Sequence, residues 1–167
     1  MYQKNKPIVT IKHQSADKII DALGYAAILA LFAIPFAFYA DLPQEIPYHY
    51  DLSGAPNAFG GRNAIWVLPL VATIIVIGIS LLSRIPSVFN YPVTITNQNA
   101  AKQYALAIRF MGLLKVLIGW YFCLINYQSI QIALNNSNVL NGFSLFLFLA
   151  LLLALIIGYF IKAFRLK

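Results

Sequence analysis

The chain has 167 residues, 60% of them hydrophobic and only 10% charged, with a formal net charge of +7. Soluble domains carry roughly 25% charged residues, so a soluble fold this poor in charge would expose large apolar patches and aggregate. The basic residues flank apolar runs instead of forming a polar patch, which argues for insertion rules and anionic headgroups and against nucleic acid.

Read in chain order, residues 1–21 form a polar N-terminal segment containing Lys4, Lys6, Lys12, His13 and Lys18. Thr10 to Asp21 reads as a short interfacial helix with Ser15 as its cap, and His13 as a solvated or headgroup-level histidine. The first apolar run, Ala22 to Ala40, is long enough to span about 30 Å of hydrocarbon. It starts too late for a signal peptide. The second span is Asn63 to Ser83, and kinks are expected at Pro35 and Pro69. The loop after Ser83, with Pro86 and Pro92, is extended or turning.

The third span is placed at Val116 to Leu134. Lys115 then stays outside the hydrocarbon, since no acid falls within any span to pair with it. Residues 84–115 thus hold a loop and a helical projection, capped by Asn97, with an apolar stripe of Tyr104, Ile108 and Met111. Lys115 is expected to snorkel to the headgroups. Asn135 to Asn141 is a short polar turn, where Asn135-Asn136-Ser137 matches a glycosylation sequon by chance. The fourth span is 142–161, and 162–167 form a basic tail. Gly24, Gly78, Gly119 and Gly158 are candidates for close helix approach. The single cysteine, Cys123, reads as a buried apolar filler.

Eleven of the twelve basic residues fall on one side of this scheme and Arg62 alone on the other. The expectation is an all-α, polytopic four-helix membrane bundle with both termini cytoplasmic. An ordered extracytoplasmic loop, 41–62, joins the first two spans. That loop is pinned by Pro43, Pro47 and Pro56, turned by Gly54, Gly60 and Gly61, and furnished with the interfacial aromatics Tyr48, Tyr50 and Phe59.

Within the loop, His49 is the chemically informative residue. With Glu45, Asp51, Tyr48 and Tyr50 nearby it can bind a ligand or titrate near neutrality. The bland alternative is a histidine bonded to loop backbone or to Asp51. Neither HExxH nor paired-histidine spacing occurs, so no metal or other cofactor is expected. Asn126, Tyr127, Gln128 and Gln131 add polar groups to the outer half of the third span. Tyr127 and Gln131 share a face at i,i+4 and can bond between helices or line a pocket under the loop. Ligand candidates are therefore His49, Asp51, Glu45, Tyr48, Tyr50, Arg62, Asn126, Tyr127 and Gln131.

Leu42-Pro43, Ile46-Pro47, His49, Gly54 and Pro56, continued by Trp66, Leu68 and Pro69, resemble the domain of unknown function 1648. That domain occurs in Sdp-type immunity proteins and many small bacterial membrane proteins. The likeness resumes at Arg84, Pro86, Asn90, Tyr91, Pro92, Asn99 and Tyr104 to Lys115, and covers about Ala22 to Asn126. Asn57 stands where the family usually has an acid, Arg62 where it usually has lysine, and the additional spans of the immunity protein are missing. The resemblance implies family membership and not the immunity protein's own activity; it favours a bacterial inner-membrane protein of binding or sensing type, or one of immunity type, recognising a peptide, lipid or antimicrobial ligand at the outer face. The lipid bilayer and a cytoplasmic protein are its expected partners. The alternatives are an outer-leaflet enzyme with His49 as acid/base, or a small transporter subunit.

Overall fold

The computed structural model describes residues 6–12, 14–135 and 137–167; Lys4, His13 and Asn136 lie outside them. Among the described residues the chain forms α1 (Ser15–Phe38), a hairpin of β1 (Glu45–Tyr50) and β2 (Pro56–Gly61), α2 (Val67–Leu82), α3 (Ala100–Ala133) and α4 (Gly142–Arg165). Each helix, counting the 3-10 turn Arg62–Trp66 with α2, is long and apolar enough to cross a membrane. By length and composition this is a multi-pass membrane protein, and the two-stranded sheet is a minor part of it.

Several boundaries differ from the sequence expectation. Among the described residues no separate interfacial helix precedes the first span: α1 begins at Ser15 and runs without a break through Pro35. Gln14 occupies the cap position, and its N–H donates to Asp17 Oδ2 at 2.9 Å. Pro69 sits in the first turn of α2, where its missing N–H has no intrahelical partner to lose. The cap of α3 is Asn99, not Asn97. The Asn99 side chain accepts from Thr96 N–H at 2.9 Å and donates to the Thr94 carbonyl at 3.0 Å.

The 34 residues of α3 make a rod of about 51 Å. That is about 20 Å more than the hydrocarbon needs. Its buried positions Ala100, Tyr104, Ala107, Gly112, Lys115, Gly119, Cys123, Asn126 and Ile130 recur at three, four or five residues and form one face. Small residues close the seam with α1. A Cβ on Gly119 would stand 2.9 Å from the Ala27 Cβ, one on Gly112 2.8 Å from Ile20, and one on Gly24 2.6 Å from the Lys115 side chain. Gly78 and Gly158 meet nothing within 4 Å. Cys123 fills the core with Ala27, Leu31 and Ala72.

Lys115 does not snorkel. It is 2% exposed and lies between α1 and α3, its Nζ 2.6 Å from Asp21 and 3.2 Å from Ser80 Oγ. The Tyr25 ring lies 4.8 Å from the ammonium. Nearer the termini, Arg109 pairs with Asp17 at 2.9 Å and donates to Gln14. Because α1 starts at Ser15, both acids stand on its first turns, four residues apart, facing α3. The acid that pairs with Lys115 lies one residue before the boundary expected for the first span.

Running antiparallel to α3, α4 is the least buried helix, with only Ala163 in the core. It meets α3 through ring pairs, Phe110 with Tyr159 at 4.7 Å and Tyr121 with Phe148 at 4.1 Å.

Candidate functional site

The loop between α1 and α2 folds as an antiparallel hairpin. Glu45 pairs with Gly61, Ile46 with Gly60, Pro47 with Phe59, His49 with Ala58 and Tyr50 with Pro56, with irregularities on either side of His49. Two devices fix its tip. The Asp51 carboxylate accepts from Ser53 N–H at 2.8 Å, Ser53 Oγ–H at 2.6 Å and Ala55 N–H at 3.0 Å, an Asx turn. These donors hold the Asp51 carboxyl below its ordinary range. Gly54 adopts φ +83°, and its carbonyl accepts from Leu140 N–H at 2.9 Å. A Cβ there would come within 2.8 Å of the Leu140 oxygen, so the turn and the docking both call for glycine. The hairpin tip is thereby tied to the α3–α4 connection.

The other end is held from below. Ile46 and Leu42 are buried against Ile65 before α2 and Ile130 and Ala133 of α3. Pro47 is buried beside Ile46, whereas Glu45, Tyr48 and His49 of the same strand are exposed.

Between the hairpin, the start of α2 and α3 lies a cavity of about 400 Å³. Its walls are mostly apolar: Pro47, Ile65, Leu68 and Ile125 among them. Tyr48 and Tyr50 enter from β1, and Asn126 and Ser129 from one face of α3. Asn126 is 1% exposed, and neither its amide nitrogen nor its oxygen has a hydrogen-bond partner. The buried Tyr50 hydroxyl lies near Ser129 yet lacks a hydrogen bond of good geometry. Burial pushes the Tyr50 phenol above its usual range, so it is a neutral donor at physiological pH. Among the described residues no charged side chain lines the cavity.

The structure separates the sequence-derived candidates. Tyr48, Tyr50 and Asn126 line the cavity. His49 is exposed and does not line the cavity, its Nδ1 2.6 Å from Asn57 Oδ1 rather than from backbone or Asp51. The place where the resembled family usually has an acid is thus the histidine's partner, and here that partner is a neutral amide. Asp51 is engaged with its own turn, and Glu45 is exposed near the start of the hairpin. Arg62 stacks over Tyr39 at 5.1 Å, and the Tyr39 hydroxyl donates to Asn63. Tyr127 is partly exposed and packs edge-on to Phe38, and neither it nor Gln131 lines the cavity. Gln128 accepts from Asn141 N–H at 2.6 Å and ties α3 to the start of α4. Among the described residues no three His, Cys, Asp or Glu side chains gather as metal ligands would.

Ser129 was missed. Its signal was the i,i+3 spacing from Asn126, the alternative to the i,i+4 pair Tyr127 and Gln131.

The geometry defines a multi-pass membrane protein whose first two spans carry a hairpin over one end of the bundle. Residues 26–73 match the family described as a domain of unknown function, DUF1648. The segment takes in most of α1, the whole hairpin and the first turns of α2. An uncharacterised protein of Archaeoglobus fulgidus is 32% identical over 83 residues, 45% of each chain. The chain therefore spans less than half the length of that relative. No solved structure matches.

Proposed function

We propose that this is a binding or sensing protein that takes a neutral amphipathic ligand under the hairpin. The observation that carries the reading is Asn126, a buried amide with both polar atoms unpartnered and a cavity in front of it. Leaving such a group unpaired costs about 1–3 kcal/mol, which a ligand carrying an amide, carbonyl or hydroxyl would recover. The Tyr50 hydroxyl and Ser129 offer it further hydrogen bonds. The volume falls within the usual small-molecule range of about 300–1,000 Å³. Apolar walls and the lack of a lining charge favour an apolar body, as in a lipid tail, an apolar peptide segment or a membrane-active antimicrobial compound.

The positive-inside rule supports an orientation with the hairpin on the outer face and both termini in the cytoplasm. In a bacterial inner membrane the ligand would then come from the outer leaflet or the space beyond it. An immunity-type role is one form such recognition takes. The exposed, amide-paired His49 fits a loop-ordering role better than acid/base work, which places binding ahead of catalysis.

The test is mild extraction of the full chain and mass spectrometry of what copurifies. Wild type and His49→Ala are expected to carry the same small molecule, and Asn126→Leu and Tyr50→Phe to lose it. An identical small-molecule profile in all four proteins would overturn the reading, as would the absence of any bound molecule together with no stabilisation by a lipid extract.

A further inference from the structure

A second cavity, of about 750 Å³, opens at the terminal end of the bundle, between the loop before α3 and the end of α4. Lys102, Arg165 and Lys167 line it, together with Thr94 and Thr96, and no acidic side chain does. One or two helical turns further along the same two helices lies a mostly apolar cavity of about 180 Å³, with Arg109 and Lys162 also in its lining. There Leu106, Phe110 and Leu113 of α3 face Leu155 and Gly158 of α4. On α3 the lining positions 102, 106, 110 and 113 advance by four, four and three, a single stripe. Positions 165, 162, 158 and 155 step by three, four and three along α4, also a single stripe, so the two cavities succeed one another in one interhelical groove. A Cβ at Gly158 would meet nothing within 4 Å, so the groove is open there.

A helix C-terminus normally repels anions through its free carbonyls. Here Gln103 Nε2 donates to the Ala163 carbonyl at 2.8 Å and the Leu166 carbonyl at 3.1 Å. Those bonds occupy two of the offending groups and fasten the end of α4 to α3, where Arg165 and Lys102 line the same cavity.

We infer that this groove is a binding site for an anionic phospholipid, with the phosphate between Lys102 and Arg165 and one acyl chain along Leu106, Phe110, Leu113 and Gly158. The basic cavity alone would suit a free phosphate as well. The apolar continuation favours a lipid, because a free anion has no use for it. A cationic pocket between membrane helices on the positive face is a recurrent headgroup site.

The experiment titrates the full chain, in a non-ionic detergent, with palmitoyl-oleoyl phosphatidylglycerol, with phosphatidylcholine of the same chains, and with inorganic phosphate, reading bound species by native mass spectrometry. Phosphatidylglycerol is expected to bind at least about tenfold tighter than phosphatidylcholine. Lys102→Gln with Arg165→Gln is expected to weaken it about 25-fold, a factor of about five per cation. Lys18→Gln with Arg84→Gln removes the same charge from the same face outside the cavity and is expected to leave affinity unchanged. Gly158→Leu, a substitution into open space, is expected to weaken the long-chain lipid while sparing dihexanoyl phosphatidylglycerol. Equal binding of the two long-chain lipids would overturn the proposal, as would an equal loss in the control pair. Phosphate binding as tight as phosphatidylglycerol, with Gly158→Leu silent, would make it a free-anion site and overturn the lipid assignment.

Discussion

Asn126→Leu is the substitution that most directly probes the cavity under the hairpin. Leucine has the same number of side-chain heavy atoms and the same branching as asparagine, so the change swaps polarity while keeping the shape, and the cavity in front of the side chain accommodates the bulkier methyl groups. In the ligand-free protein the amide is 1% exposed and unpartnered at both ends. Removing a buried, unsatisfied amide recovers about 1–3 kcal/mol, and the apolar neighbours Ile125 and Leu68 accept a leucine well. The expected effect is a gain of about 2 kcal/mol, a rise in Tm of about 4–8 °C for a chain of this size. The ligand should reverse the order. At a hundredfold excess over Kd it stabilises wild type by about 2.7 kcal/mol and leaves the variant unmoved. Thermal unfolding of delipidated protein, followed by tryptophan fluorescence with and without the copurified molecule, measures both arms. A variant less stable than wild type without ligand would refute the reasoning. It would mean that Asn126 is satisfied within the protein and serves the bundle rather than a ligand.

Three further outcomes are expected. Gly54→Val forces a β-branched residue into φ +83° and against the Leu140 carbonyl; it should undock the hairpin tip at a cost of about 2–3 kcal/mol, seen as faster amide exchange in residues 51–55 and 139–141 with the helices unaffected. The Asp51 turn should keep its protection as pH falls to the ordinary carboxylate range and lose it only below about pH 4, because the folded carboxyl titrates lower than the unfolded one and its contribution is lost as pH drops through the folded value; Asp51→Ala should abolish that pH dependence. Asp21→Asn should destabilise by about 3 kcal/mol or more, since it strands the buried Lys115 ammonium, whereas Lys115→Met should stay within about 1 kcal/mol of wild type; equal losses in urea or thermal unfolding of the two variants would contradict the asymmetry of burial, 2% against 46% exposed.

Span number and order were legible because each helix carries a long charge-free run, and nothing in lipid can replace the backbone bonds a helix makes internally. Boundaries were less legible because they rest on which charges stay outside. Excluding Asp17 and Asp21 from the first span hid the partners of Arg109 and Lys115, though the cost of an unpaired lysine was read correctly. The loop's order was visible in its prolines and glycines. Its strands were not, since Pro47 and the Pro56–Gly61 run weaken any β pattern, and the hairpin depends on tertiary support from Ile46 on Ile130 and Gly54 on Leu140. The cavity was half legible. Tyr48, Tyr50 and Asn126 were among the candidates, but helical phase decides which polar residues of α3 face inward, and that phase is set by packing on α1. The glycines at 112 and 119 mark the seam, and Asn126 continues it at seven-residue spacing, whereas Tyr127 is rotated about 100° away.

That phase also explains how one helix serves both proposed sites. The face of α3 that closes on α1 ends, toward the hairpin, in Asn126 and Ser129. The face turned to α4 carries Lys102, Leu106, Phe110 and Leu113 toward the termini. Helix α4 is tied to its neighbours near both ends, by Gln103 to the Ala163 and Leu166 carbonyls and by Gln128 to Asn141 and Ser144. Its middle rests on ring pairs and buries almost nothing. A helix fastened this way keeps its position while leaving a groove beside α3, and in a bilayer such a groove fills with acyl chain. Tight packing would have required small residues on both faces, as on the α1–α3 seam; on α4 the glycine at 158 faces open space instead. The contrast between the two seams of α3, one sealed by glycines and ion pairs and one left open beside three cations, is therefore the physical ground for placing a lipid there.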